Sequence, residues 1–237
     1  MNREDLRRAA KEIVEEFPDI GRRELGYRLG VSEDTARHLK SEVQARIFPP
    51  GLTIGYFDLE TTDLVGDFGQ LLCGSIWSYP AGKMTTYRID EIEDKIDFSD
   101  DRVLSSMIRD ELEKHHMIVG YFSKGFDVPF LNTRLADNGL RLLKKQFHFD
   151  PIWHFKGWRG LKLRSSKMKV VANFLGLEQK QDVDIDIWKR CLIQAAAGNS
   201  EKLDILVERC ESDVRITAQI AQWAWDNDFP SSLQRYP

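Results

Sequence analysis

The sequence predicts an α/β fold in which helices flank a mixed β-sheet, with a small all-helical domain ahead of it. Three observations lead there. Residues 1 to about 47 place their apolar side chains only at helical spacing. Phe48-Pro49-Pro50-Gly51 then reads as a linker, because proline and glycine interrupt either periodicity. Beyond it, three strand-like runs able to pair as a meander give way to alternating helix and strand, the pattern of a mixed sheet covered by helices. The predicted domains are therefore 1–48 and 49–237.

In the first domain Leu6, Ala9, Ala10, Ile13, Val14 and Phe17 recur at helical spacing, and Pro18 closes the helix. Arg22 to Leu29 forms a second helix, Gly30-Val31 a tight turn, and Ser32 caps a third helix running to about Ile47. This second half resembles the helix-turn-helix motif. Gly26 takes the small-residue position where the two helices cross, and Val31 and Leu39 pack inward. Asp34, Thr35, Arg37, His38 and Lys40 lie on or near the recognition helix, with Arg37 and His38 as candidate duplex contacts. The segment carries ten basic and ten acidic residues, so its charges cancel, and a protein-docking helical module is the competing reading.

In the second domain strands are expected at 53–58, 70–79 and 84–89, the first two joined by a loop rich in Asp and Gly. A helix follows over roughly 101–115, then a buried strand from Met117 to Tyr121. A further helix begins near Asp127, where Pro129 suits the first turn. A short strand lies around Phe147 to Ile152, and the remainder is helical: about 166–175, 184–197, 200–211 and 213–227.

Over 237 residues, 42% hydrophobic and 30% charged content describes a globular chain with room for one good-sized core and an appendage. No stretch approaches the ~20 apolar residues that span a bilayer. Met1-Asn2-Arg3-Glu4-Asp5 has no apolar run behind it, which reads against a signal peptide. Cys73, Cys191 and Cys210 have no close partner in sequence, which argues against a disulfide framework or zinc knuckle and for a reducing, cytoplasmic setting.

The net charge of −4 gives no global nucleic-acid signature, but the charge is unevenly spread. Nine Lys or Arg face one acid from Arg141 to Lys169, interleaved with Phe147, Phe149, Trp153, Phe155 and Trp158. Cations neutralise phosphates and aromatic rings stack on unpaired bases, so Lys156, Trp158, Arg159 and Lys162 are candidate strand contacts. The alternation of Phe147, Phe149 and Trp153 also fits one buried strand face. Seven acids against one Lys between Asp90 and Asp101 read as a solvated negative loop or helix start. His115 and His116 read as helix-end side chains rather than ligands.

The chemistry-bearing motif is Asp58-Leu59-Glu60-Thr61-Thr62, at the end of the apolar run Thr53–Phe57. Residues two apart on a strand share a face, so Asp58 and Glu60 present adjacent carboxylates. Like charges held together favour an intervening cation, and hard oxygen donors suit magnesium or manganese. Two further segments are weak alone. Asp127, in Phe126-Asp127-Val128-Pro129-Phe130-Leu131, fits a plain helix cap. Asp213, in Cys210-Glu211-Ser212-Asp213-Val214, fits a helix start or a surface acid.

Taken in order, these three segments resemble the motifs of the DEDD-type 3′-5′ exonucleases, which include polymerase proofreading domains within the ribonuclease H-like fold. The resemblance covers residues 53 to about 225, and Gly198–Leu203 is similar to a helix break of single-protein relatives. It implies that Asp58, Glu60, Asp127 and Asp213 are catalytic ligands for two Mg2+ or Mn2+ ions, with Asp58 bridging. Thr61 and Phe126, next to the motif acids, and Arg209, as a cation able to bind phosphate, are further candidate contacts for nucleic acid, single-stranded DNA or RNA. Two ions stabilise the attacking and leaving oxygens of a phosphodiester undergoing hydrolysis.

Two positions depart from the family pattern. Arg209 stands four residues before Asp213, where a Tyr or His is usual, and arginine cannot act as a general base. Phe122 stands where an Asn is common, beside Ser123. Three functions remain in view: a metal-dependent 3′-5′ exonuclease, a nucleic-acid-binding module with weak or no hydrolysis, and a helix-turn-helix DNA-binding regulator.

Overall fold

A computed structural model describes residues 3–17, 20–44, 51–92, 100–156, 161–177 and 183–227. The chain divides into two compact units, Met1–Leu52 and Thr53–Pro237. The proposed linker residues 48–50 lie outside the described residues, as does the end of the third helix.

The first unit holds α1 (Arg3–Glu16), α2 (Arg22–Leu29) and α3 (Glu33–Gln44) around Ala10, Val14, Leu25, Ala36 and Leu39. Gly30 ends α2 in the left-handed conformation at φ 64°, accessible to glycine without steric cost. The Ser32 hydroxyl accepts the Thr35 backbone N–H at 3.2 Å, capping α3. A Cβ on Gly26 would meet the Val31 carbonyl at 3.0 Å and the Ala36 methyl at 3.5 Å, so the crossing needs the glycine. Asp34, Arg37 and His38 are exposed, whereas Lys40 folds back to donate to the Ile20 carbonyl.

The second unit contains a five-stranded sheet in the order β3-β2-β1-β4-β5. β1 (Ile54–Thr61), β2 (Leu71–Tyr79) and β3 (Lys83–Arg88) form an antiparallel meander. β4 (Met117–Val119) and β5 (Phe147–Phe149) add in parallel on the other side of β1. α4 (Arg102–Leu112) leads from β3 to β4 and α5 (Asp127–Asp137) from β4 to β5, and the chain finishes with α6 (Met168–Leu175), α7 (Ile185–Ala196) and α8 (Glu201–Asp226). No helix among the described residues is long and apolar enough to cross a membrane.

The pleat of β1 assigns its side chains to two layers. Leu59 faces α4: a Cβ on Gly74 of β2 would strike Ile108 at 2.6 Å and Leu59 at 2.9 Å, so this glycine lets helix and sheet close together. The alternate residues face α8, where the rings of Tyr56 and Trp225 lie 6.3 Å apart. Asp58 and Glu60 belong to that second face.

Four expectations are corrected. The helices expected at 200–211 and 213–227 are one 26-residue helix, α8, because Leu203, Leu206, Cys210, Val214, Ala221 and Ala224 keep one buried stripe through Ser212-Asp213. The strand expected to reach Ile152 stops at Phe149, and Pro151–His154 forms a 3-10 turn capped by Asp150. Phe147 and Trp153 are therefore exposed while Phe149 is buried, so the three do not share a core face. Asp101 is not solvated: it is fully buried, accepting from Arg134 at 2.9 and 3.0 Å, Asn138 at 2.8 Å and the Leu71 N–H at 2.8 Å.

His115 lies just past the end of α4 and is buried, placed between the Glu111 carbonyl at 3.1 Å and the Ser78 hydroxyl at 2.9 Å.

Candidate metal centre and nucleic-acid cleft

β1 and α8 bring the acids together. Asp58 and Glu60 project from one face of β1, and a register shift against β2 falls between Glu60 and Thr61, re-aiming the strand end beside them. α8 packs over β1 and β2, delivering Asp213 from mid-helix at 1% exposure. Asp58, Glu60 and Asp213 each place a carboxylate oxygen so that all three lie within 4.8 Å of one another. The Cys210 thiol donates to the Asp58 carbonyl at 3.2 Å and ties α8 to the strand behind this trio.

Three carboxylates at that separation form a hard, oxygen-only donor set, which fits a divalent cation such as Mg2+ or Mn2+. Asp127, the first residue of α5, lines the same cleft but lies outside the trio; its Oδ1 accepts the Leu59 backbone N–H at 3.2 Å. Burial raises the Asp127 carboxyl to about 7, and the charges of Asp150 and Glu60 push it the same way against the pull of backbone hydrogen bonds.

Arg209 is turned toward the acids. Its Nε donates to Glu60 Oε1 at 2.9 Å, and a terminal nitrogen stands 3.8 Å from Asp213 Oδ2. The guanidinium lies 5.1 Å over the Trp188 ring, and the Trp188 indole N–H donates to Glu60 Oε2 at 2.9 Å. Both Glu60 oxygens thus carry a donor from the α7–α8 side. Trp188 escaped the sequence reading because an indole on an amphipathic helix looks the same whether it packs in a core or reaches a carboxylate.

The acids open into a cleft of about 740 Å³. Lys156, Lys167 and Lys169 stand on its wall with Phe122 and Phe126. Phe122 has φ 62°, a left-handed backbone that strains a bulky residue. Asp150 holds it there by accepting the Phe122 N–H at 2.9 Å and the Lys124 N–H at 3.0 Å. The Phe122 ring is 39% exposed and Trp153 is 51% exposed, and Lys156 Nζ lies 5.2 Å and 5.4 Å from their ring centres. Behind this surface the Ser123 hydroxyl meets buried His148 Nε2 at 2.8 Å, and burial lowers the His148 pKa to about 3.

Thr61 is buried on β1, its hydroxyl donating to the Asp63 carbonyl at 2.6 Å. Lys162 is exposed and is not among the cleft-lining residues, while Trp158 and Arg159 lie outside the described residues. Lys167 and Lys169 were visible in the sequence only as part of a basic run.

Comparison with curated proteins finds no match. Among solved structures the chain is similar to the family B DNA polymerase of the hyperthermophilic archaeon Pyrobaculum calidifontis. The TM-score is 0.55 at 18% identity, over 75% of this chain and 25% of that one. The chain thus overlays about a quarter of that polymerase, and the likeness is one of fold. The sequence matches the description of the RNase_H superfamily over residues 55–225, from the second residue of β1 to the last turn of α8. By that match across most of its length, the chain belongs to the RNase_H superfamily.

Proposed function

We propose that this protein is a metal-dependent 3′-5′ exonuclease acting on single-stranded nucleic acid, DNA in the first instance. The observation that carries the reading is the convergence of Asp58, Glu60 and Asp213 within 4.8 Å at the floor of a cleft walled by Lys156, Lys167 and Lys169. Acids that hold a cation beside lysines that hold phosphates form a site for a phosphodiester. Superfamily membership and the likeness to a DNA polymerase support the same reading.

Asp58, Glu60 and Asp213 hold the divalent ion, and Asp127 stands beside them. A bound divalent ion supplies Lewis acidity toward the phosphate and lowers the pKa of the attacking water. The lysines fix the backbone of the strand, and the exposed Phe122 and Trp153 rings offer stacking faces to unpaired bases. In the reaction, the water oxygen bonds to phosphorus and the bond from phosphorus to the preceding 3′ oxygen breaks. That oxygen takes up a proton, leaving a shortened chain with a 3′-hydroxyl and a released nucleoside 5′-monophosphate. For the helical unit, we propose that Arg37 and His38 on the exposed face of α3 contact duplex backbone.

The test uses end-labelled single strands of matched DNA and RNA with Mg2+, Mn2+ or EDTA. A 3′-to-5′ ladder is expected with metal and none with EDTA, and Asp58→Asn should slow it on the order of 1,000-fold. Tight binding without cleavage under every metal condition would replace this reading with that of a nucleic-acid-binding module.

A further inference from the structure

A cation is already built into the acidic centre. Arg209 lies on α8 one turn before Asp213 and reaches Glu60 Oε1 at 2.9 Å and Asp213 Oδ2 at 3.8 Å. Its guanidinium side chain is only 15% exposed, and the face turned to Trp188 sits 5.1 Å from that ring. Trp188 in turn donates to the other oxygen of Glu60 at 2.9 Å. Arg209, Glu60 and Trp188 therefore close a three-way clamp in which each member holds the other two.

Charge balance gives the clamp a meaning. The converging trio carries three negative charges, and the guanidinium returns one positive charge at every pH of interest. Counted over the trio alone, the two charges that remain match one divalent ion; Asp127 stands outside the trio, its Oδ1 accepting the Leu59 N–H. A second divalent ion would leave the trio and its arginine net positive, beside a guanidinium that cannot release its proton. Both Glu60 oxygens also spend one lone pair on the clamp, which reduces what they can offer a second ion.

We propose that Arg209 is the resident cation of this centre, standing in for one of two divalent ions, so that the site loads a single ion. The inference rests on the metal-dependent reading above and sharpens it. Arg209 acts as a positioning residue for Glu60 and as a fixed positive charge beside the phosphate, a role arginine performs elsewhere in phosphoryl transfer. The planar, delocalised group suits the place, since it stacks on an indole while bonding to a carboxylate.

The experiment counts ions on the full chain by Mn2+ titration calorimetry and by the fraction of free Mn2+ seen in paramagnetic resonance, with a thermal melt verifying folding. Wild type is expected to bind one Mn2+, with any second ion weaker by about 100-fold or more. Arg209→Gln removes the charge and should bind two ions within about tenfold of each other. Arg209→Lys keeps the charge and should remain at one. Two ions of similar affinity in wild type or in Arg209→Lys, or one ion only in folded Arg209→Gln, would overturn the inference while leaving metal dependence standing. No ion bound to wild type would remove both.

Discussion

Arg134, which is buried, and Arg209, which is half-buried, each meet carboxylates, and the two sites are built to opposite plans. Arg134 grips Asp101 through two parallel hydrogen bonds of 2.9 and 3.0 Å, and Asn138 and the Leu71 N–H occupy what remains of that carboxylate. Asp101 is saturated with donors, and the second acid on Arg134, Asp137 at 2.9 Å, lies exposed to solvent. Arg209 instead faces Glu60 at 2.9 Å within a trio of acids that outnumber it. The Asp101 site joins the start of α4, the start of β2 and α5, and its buried carboxylate is filled, with the second acid, Asp137, left in solvent. The Glu60 site keeps negative charge in surplus at the edge of an open cleft. Surplus charge held together at a cleft is costly to fold and useful to a ligand, so where the surplus lies, in solvent or converging on one point, separates scaffold from site.

The sharpest way to break this comparison is to remove one acid from each site. Asp101→Ala strips Arg134 of its bidentate partner and orphans the Leu71 N–H, so it should cost about 3–5 kcal/mol in urea unfolding. It should leave Mn2+ affinity unchanged.

A neutral polar site supplies the intermediate case. His148 is buried against Ser123 with its pKa lowered to about 3, below the ordinary 6.5. Its contribution is fully present above pH 6.5, where neither state binds the proton. It is lost as pH falls toward 3, because the unfolded chain then takes up a proton that the folded one excludes. Stability between pH 7 and 4.5 should fall by about 2 kcal/mol more in wild type than in His148→Gln, read by urea midpoints at each pH.

The smallest change is opposite in sign. Asp213→Asn relieves like-charge repulsion in the trio and should stabilise the metal-free protein by about 1 kcal/mol, raising the melting temperature by about 2–4 °C. Added Mn2+ should then no longer raise it. A melting temperature lowered as much as in Asp101→Ala would mean the two arginine sites are the same kind of object.

How far the sequence reveals this architecture depends on the element. β1 is plain because an apolar run ends in Asp58 and Glu60, and the period of two puts both acids on one face. The meander and the parallel strands beyond it follow from the spacing of apolar runs and helices. α8 is harder: Ser212-Asp213 imitates a helix cap, and the buried stripe through Cys210 and Val214 overrides that local preference only once β1 and β2 are there to cover it. Asp101 looks like one acid among seven, and nothing local announces that Arg134, 33 residues on, will bury it. Trp188 and Glu60 are 128 residues apart, and Arg209 and Glu60 are 149 apart, so the clamp is a product of tertiary folding. β5 misleads in a different way. It is only three residues long at the sheet edge, too short for the alternation of Phe147, Phe149 and Trp153 to be sustained.

The thiols behind the acids have a practical consequence. Cys73, Cys191 and Cys210 are buried and free, and burial raises the Cys191 pKa to about 11 and pushes Cys210 upward as well. Scarce thiolate and no path for a reagent make alkylation of Cys210 wait on the lifting of α8 from β1. The rate at which that sulfur is labelled is thus a clock for breathing of the helix that carries Arg209 and Asp213, and no engineered probe is needed to read it.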